Sequence, residues 1–440
     1  MSTQIEAMIL RLLEKAKQKG ATSAEISASM SYGFMVTVRK GEVDTVEFNR
    51  DKGLSMTLYA GQRQGMVSSS DFSETSLEHC LDKAWYIAQH TDEDPAAGLA
   101  PKNRMASEIK DLDLYHPWQI KPEEAIPLLQ EAENSAIVSD PRIHNSEGVN
   151  LNTHQSHYVY ANSHGFCGSL NSTSHSFSCS LLAQDKNGAM QRDYDYINSR
   201  NANGLEDFKK VALRAAKYAV QRLGAKTIST GKMPVLLSQR MVSQFWGELL
   251  SAISGGNLYR DASFLKGKVG ERVLNACVTI VEDPTLPGAW ASSYFDREGV
   301  ATQKRELVKA GVLQGYILNH YSACRLGLET TGNAGGAHNI LVQSTGEDEQ
   351  ALFQKMNTGL LVTEVMGMGV NLVTGDYSQG ASGFWIENGL IQHPVEGVTI
   401  AGNLKDMFSQ IVAIGTDVNM RSYIQSGSVL ISEMMVAGKD

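Results

Sequence analysis

Cysteine is scarce: Cys80, Cys167, Cys179, Cys277 and Cys324 are the only five in 440 residues. The count is odd and no CxxC pair occurs. That argues against a disulfide framework and a thiolate zinc site, and for a reducing compartment. Long apolar runs are also missing. No stretch approaches the ~20 residues that cross a bilayer, so no membrane association is expected. The opening MSTQIEAMILRLLEKAKQKG breaks its apolar positions with Glu6, Arg11, Glu14 and Lys15, unlike the core of a signal peptide. A cytoplasmic chain is expected. Positive charge is in deficit, with 39 Lys and Arg against 48 Asp and Glu, for a formal net charge of −9. A phosphate backbone would be repelled on average, and no nucleic-acid partner is expected. The longest basic cluster, Lys209, Lys210, Arg214, Lys217 and Arg222, has helical spacing and reads as a solvated helix face. Ten prolines against forty glycines point to tight turns and much β structure.

What is present is a soluble, globular composition, 42% hydrophobic and 20% charged. Ile5, Met8, Ile9, Leu12, Leu13 and Ala16 recur with helical period, and Gly20 stops the helix. The chain then alternates. Strands are expected through Phe34–Val38, through Val43, Val46 and Phe48, over Leu54–Tyr59 and over Gln64–Ser70, with a turn at Lys40–Gly41. A helix from Thr75 to Gln89 follows, where Thr75 and Glu78 have capping-box spacing. Residues 91–119 are irregular. Another helix is expected from Lys121 to Ser139, kinked or delayed by Pro127. Residues 142–197 alternate again, with turns near Ser163–Gly165 and Asn187–Gly188. A helix through Leu205–Leu223 ends at Gly224. The remainder reads as short strands and glycine-rich turns, with helices at Ser238–Ile253 and Leu404–Ile411. The expected class is α+β: N-terminal strand–helix segments, meanders packed with helices, then a mostly β C-terminal domain with one or two helices. The expected segments are 1–115, 116–228 and 229–440.

Candidate chemistry is sparse. His144, His154, His157, His164 and His175 invite a metal reading. Yet His154 and His157 would point to opposite faces of one strand, and no acid lies between His154 and His175. They read as structural or exposed histidines. Ser254–Gly256 and Gly332–Gly336 match no phosphate-binding pattern. Ser382 lacks the GxSxG elbow spacing. His320 and Cys324 could meet across one helical turn, but nothing completes a triad. The informative segment is Met233-Pro-Val-Leu-Leu-Ser-Gln-Arg-Met-Val-Ser243, a buried strand running into an amphipathic helix. Such a junction can mount zinc ligands, which requires imidazoles and a carboxylate. Ser238, Gln239 and Ser243 are neither, and an amide cannot act as a general base. Taken alone, Ser238 reads as a helix N-cap.

Three stretches carry a resemblance to the TldD/PmbA family, whose PmbA branch is also called TldE. They are Glu282-Asp-Pro-Thr-Leu-Pro-Gly-Ala-Trp through Phe295-Asp-Arg-Glu-Gly-Val300; Gly311-Val-Leu-Gln-Gly-Tyr-Ile-Leu with Leu326-Gly-Leu and Thr331-Gly-Asn-Ala334; and Gly383-Phe-Trp-Ile-Glu-Asn-Gly389 with Pro394-Val-Glu and Thr399-Ile-Ala-Gly-Asn403. TldD-like members resembling this chain carry an HExxxH motif after a short apolar strand and a later cysteine loop. Laid on Val235-Leu-Leu, the motif falls on Ser238, Gln239 and Ser243. The loop falls after Asp417, where Val418–Gly427 is short, and no cysteine follows Cys324. The resemblance is therefore to the PmbA/TldE branch. It implies a subunit of a heterodimeric metalloprotease acting on peptides and unfolded polypeptides, without catalytic or metal residues of its own. Zinc would sit in a TldD-like partner, while this chain would shape the chamber and specificity. The isolated chain could also pair with itself. The competing reading is a self-associating peptide-binding scaffold without proteolysis. Residues five apart lie about 140° around a helix, so an HExxxH pair needs a local distortion. With serine at both places, a regular helix is expected.

Overall fold

The computed structural model describes residues 2–438. The N-terminal half comprises α1 (Ser2–Gln18), β1 (Ser23–Arg39), β2 (Glu42–Ala60), β3 (Arg63–Ser69), α2 (Glu74–His90), α3 (Pro122–Ser139), β4 (Ile143–Asn162), β5 (Cys167–Gln184), β6 (Met190–Ser199) and α4 (Phe208–Gln221). All six strands form one antiparallel sheet in the order β3-β2-β1-β4-β5-β6. Its central strands are long enough for two helix pairs side by side on one face. Ala24, Ile26 and Ala28 of β1 pack with Val159 and Ala161 beneath α1 and α2. Further along the same strands, Phe34, Val36 and Val38 pack with Val149 and Leu151 beneath α3 and α4. The strict period of two puts both groups on one face. The buried carboxylate of Glu133 on α3 accepts the Lys40 and Gly41 N–H groups, pinning the β1–β2 turn.

Several expectations shift. Residues 42–60 are one strand, not two, because β1 offers a long ladder to pair against. Helix α2 starts at Glu74 after Ser73, one residue before Thr75, so the expected capping box does not form. Helix α3 starts at Pro122 and runs through Pro127. Its start is fixed by Glu124, whose carboxylate accepts the Lys121 N–H.

The C-terminal half is mostly β. It contains β7 (Gly231–Leu237), α5 (Val242–Ala252), α6 (Gly255–Tyr259), β8 (Ile280–Glu282), β9 (Arg305–Lys309), β10 (Val312–Leu313), α7 (His320–Leu326), β11 (Ile340–Val342), α8 (Glu349–Met356) and β12 (Gly359–Met366). There follow β13 (Val370–Asn371), β14 (Asp376–Glu387), β15 (Leu390–Asn403), α9 (Leu404–Ser409), β16 (Ile411–Ile414), β17 (Ile424–Gln425) and β18 (Val429–Ala437). Five strands hydrogen-bond in a ring, β7-β12-β14-β15-β18 and back to β7. Ring closure leaves these strands no open ladder along their paired lengths. A smaller sheet, β10-β9-β8-β11-β17, lies in the same half. Helix α5 joins the two through one core, in which Phe245, Trp246 and Leu249 meet Val235, Ile280, Ile400 and Phe408.

The halves meet at two seams. At one, Tyr158, Tyr160 and Phe166 pack on Tyr294 and Phe295. At the other, Arg240 and Arg421 reach buried Asp193 and Asp195 of β6.

Candidate functional site

Strand β7 is apolar on both faces at Val235, Leu236 and Leu237, all fully buried. Its ladder continues one step further, as Ser238 N–H donates to Val362 O at 2.9 Å. The chain then turns. Ser238 Oγ accepts the Arg240 N–H at 3.3 Å, and Ser238 O accepts the N–H groups of Met241 and Val242. Helix α5 begins only at Val242, with Met241 at the cap position. The N-cap reading of Ser238 is therefore corrected: its side chain bonds a turn four residues ahead of the helix. Local side-chain-to-backbone bonds of this kind compete with helix at serine. Ser238 and Ser243 do not share a helix; Ser243 is half-buried on the first turn of α5, which is regular over Val242–Ala252.

The loop after Asp417 closes against this turn. Gln239 N–H donates to Ser428 Oγ at 2.9 Å, and Ser428 Oγ donates to Asp417 Oδ2 at 2.6 Å. Asn419 Nδ2 donates to Gln239 O at 3.2 Å. Trp246 Nε1 donates to buried Ser426 Oγ at 2.9 Å. Strand end, helix start and loop are thus stitched together by neutral groups around one carboxylate. Zinc would need imidazole, thiolate or carboxylate donors converging here. Ser238, Gln239 and Ser243 supply none, and no cysteine stands in the loop. Among the described residues, no three His, Cys, Asp or Glu side chains are grouped to hold a metal. The residues present do not fit the ion.

Arg240, the residue after Gln239, fixes the turn to the N-terminal sheet. It donates to Asp193 Oδ1 at 2.6 Å and Tyr194 O at 3.0 Å, and stacks 4.2 Å from the Tyr218 ring centre. Arg421, from the loop, donates to Asp195 Oδ1 at 2.6 Å, while Arg214 binds the other oxygen of Asp195 at 2.7 Å. The alternation Asp193-Tyr-Asp-Tyr196 held a signal for this. On a strand it places both acids on one face, here the face that carries Phe177 and Cys179 of β5.

The other candidates disperse. His175 is buried, bonded to Thr153 Oγ1 at 2.8 Å and His116 O at 3.0 Å, and burial lowers its pKa. His157 bonds Asn171, and His144 is exposed at the far end of β4. Ser382 lies within β14, between Arg222 and Glu364, with no nucleophile elbow. His320 and Cys324 do approach, with Sγ 3.6 Å from Nε2. Burial, then Glu298, raises the thiol pKa, the reverse of nucleophile activation. Gly332–Gly336 serves a buried network in which Asn333 bonds Glu282 and Arg305.

Sequence reasoning missed a group of acids, one buried and two half-buried, at the seam between the halves. Tyr59 and Tyr160 donate to Glu25 at 2.9 and 2.7 Å, and burial raises the Glu25 pKa. Asp296 accepts three backbone N–H groups, yet burial pushes it up to about 6. Glu298 accepts the His320 N–H, and burial, then Asp296, pushes it up to about 8. Nothing in the local pattern marks these acids as buried.

Comparison with known proteins decides the family. Residues 24–88, 115–223 and 230–438 match, in order, the models for PmbA/TldA metallopeptidase domain 1, central domain and C-terminal domain. The chain is 43% identical to the metalloprotease PmbA of Escherichia coli O157:H7 over 99% of its own length and 96% of the relative's. This chain belongs to the PmbA/TldD family. Identity to a metalloprotease TldD homolog of Haemophilus influenzae is 24%, over 93% of this chain and 88% of that one. A crystal structure from Bacteroides thetaiotaomicron, described as a modulator of DNA gyrase, superposes with a TM-score of 0.94 at 26% identity, covering 99% of both chains. The family's peptidase character stands with these matches. No helix among the described residues is long and apolar enough to cross a membrane.

Proposed function

We propose that this chain is the PmbA/TldE-type subunit of a two-chain cytoplasmic metalloprotease. A TldD-like partner carries zinc and the residue that activates water. This chain completes the fold of the assembly and shapes the chamber that receives peptides and unfolded polypeptides. The observation that carries the reading is the occupancy of the motif positions. Ser238, Gln239 and Ser243 offer no ligand or base, and the turn at Gln239 is bonded to Ser428 and Asn419 in place of an open coordination site. The greater identity to a PmbA-named relative than to a TldD-named one supports the branch.

The test is co-expression with a TldD-like chain, followed by a peptide-cleavage assay. The isolated chain is expected to cut nothing, with or without chelator. The complex is expected to cut, and to stop when the metal is removed. Chelator-sensitive cleavage by the isolated chain would overturn the reading. Peptide binding without cleavage in the presence of the partner would favour a scaffold.

A further inference from the structure

A cavity of about 600 Å³ opens at the seam between the N-terminal sheet and the C-terminal half, away from the α5 turn. Its sheet wall is polar. Ser27 and Ser29 of β1, Ser156 of β4 and Ser172 of β5 lie on the face opposite the helices. The roof comes from residues 291–297 and 334–338, with Arg200 just beyond β6.

Arg200 is the unusual group. Its Nη1 donates to Thr173 O at 2.9 Å and its Nη2 to Trp290 O at 2.7 Å. The guanidinium stacks 4.8 Å from the Trp290 ring centre. Nε is buried without a hydrogen-bond partner. No carboxylate pairs with it among the described residues, so burial alone pushes its pKa down to about 10. A half-buried guanidinium without a counter-charge is costly, and one left so in a cavity wall calls for a ligand that supplies it. Arg297, exposed on the same lining, likewise has no acidic partner among the described residues. His338 lies with its ring nitrogens against two carbonyl oxygens, Ala291 O at 3.1 Å and Gly332 O at 3.0 Å. The single carboxylate on the lining, Asp296, has both oxygens engaged by backbone N–H groups. Gly336 leaves open space where a side chain would stand.

We propose that this cavity binds a carboxylate of the peptide substrate, with Arg200 and Arg297 as its cationic contacts and the serine hydroxyls as neutral donors. The inference rests on the peptide-handling role proposed above. A guanidinium can meet a carboxylate edge to edge, which exposed Arg297 is free to do, while Arg200, with Nη1 and Nη2 already on carbonyl oxygens, adds the second positive charge. The carboxylate is either the peptide's C-terminus or an Asp or Glu side chain, and the same contacts serve both.

The test uses the full chain and a fluorescently labelled hexapeptide in three forms. One has a free C-terminal carboxylate, one a C-terminal amide, and one the amide plus an internal Glu in place of Gln. Anisotropy is expected to show one carboxylate-bearing form binding at least about tenfold tighter than the neutral amide. Which form gains identifies the source of the carboxylate. The gain is expected to disappear in Arg200→Gln and in Arg297→Gln. Arg297 is exposed, so its replacement tests the site even where Arg200→Gln impairs folding. Equal binding of all three forms would overturn the inference while leaving the peptide-handling role intact. A gain that persists in Arg297→Gln and in folded Arg200→Gln would also overturn it. Failure of every form to bind would overturn the inference, and if the two-chain complex also failed to cleave it would overturn the peptide-handling role as well.

Discussion

Glu298 carries the clearest pH signature. Its folded pKa, about 8, lies above that of an unfolded glutamate. The folded state therefore holds a proton that the unfolded chain has released. The stability from that group is present at pH 4 and is lost as pH rises through about 8. Thermal unfolding is expected to fall in midpoint between pH 6 and 9, with a flatter profile for Glu298→Gln, which keeps an acceptor for His320. Parallel profiles would contradict this. Asp193 gives a second prediction. Arg240→Ala leaves a buried aspartate with the Tyr194 N–H at 2.7 Å and, as its nearest remaining cation, Arg222 at 3.7 Å. Denaturant unfolding is expected to show a loss of about 3 kcal/mol or more. An unchanged midpoint would show that Asp193 is solvated. These residues differ in legibility. Asp193 and Asp195 sit on a strand whose alternation places both on the core side. Glu25 and Glu298 look like surface acids, because the groups that cover them, Tyr59 and Tyr160 for one and the His320 N–H for the other, are distant in sequence.

At the scale of elements, alternation identified most strands and helical period most long helices. What failed was local competition. A serine after a buried strand looked like a helix cap, but its backbone was still finishing the β7 ladder. The gap between expected strands in residues 42–60 closed because β1 pairs with the chain straight across it, although β3 covers only Leu54–Ala60 on the other side. The short helices α6, α7 and α8 carry too few turns to show a period. Gly383 offers an element-level test. A Cβ there would lie 1.8 Å from Leu361 O, across the β12–β14 pairing that closes the ring. Gly383→Ala is expected to cost at least about 1–3 kcal/mol, read as a lower unfolding midpoint. A neutral effect would mean that β12 and β14 can part without cost. Ser238→His with Gln239→Glu and Ser243→His is expected to yield no peptidase in the isolated chain. The first position lies outside α5 and the loop lacks its cysteine. Chelator-sensitive cleavage by that variant would show that residue identity alone was limiting.

For the whole molecule, the seams matter most. The turn at Gln239 and the loop at Arg421 are both tied to β6, so the site region and the N-terminal sheet form one mechanical unit. That coupling was hidden in the sequence, since its partners stand 47 and 226 positions apart. The family and the missing ligands were legible, because ordered motifs and residue identities survive without coordinates. The central claim is that this chain has no metal site of its own. Metal content of the purified chain, and of its complex with a TldD-like partner, measures that directly. The isolated chain is expected to hold no stoichiometric zinc, and the complex one zinc per pair of chains. Two zinc ions per pair, or one on the isolated chain after desalting, would contradict it.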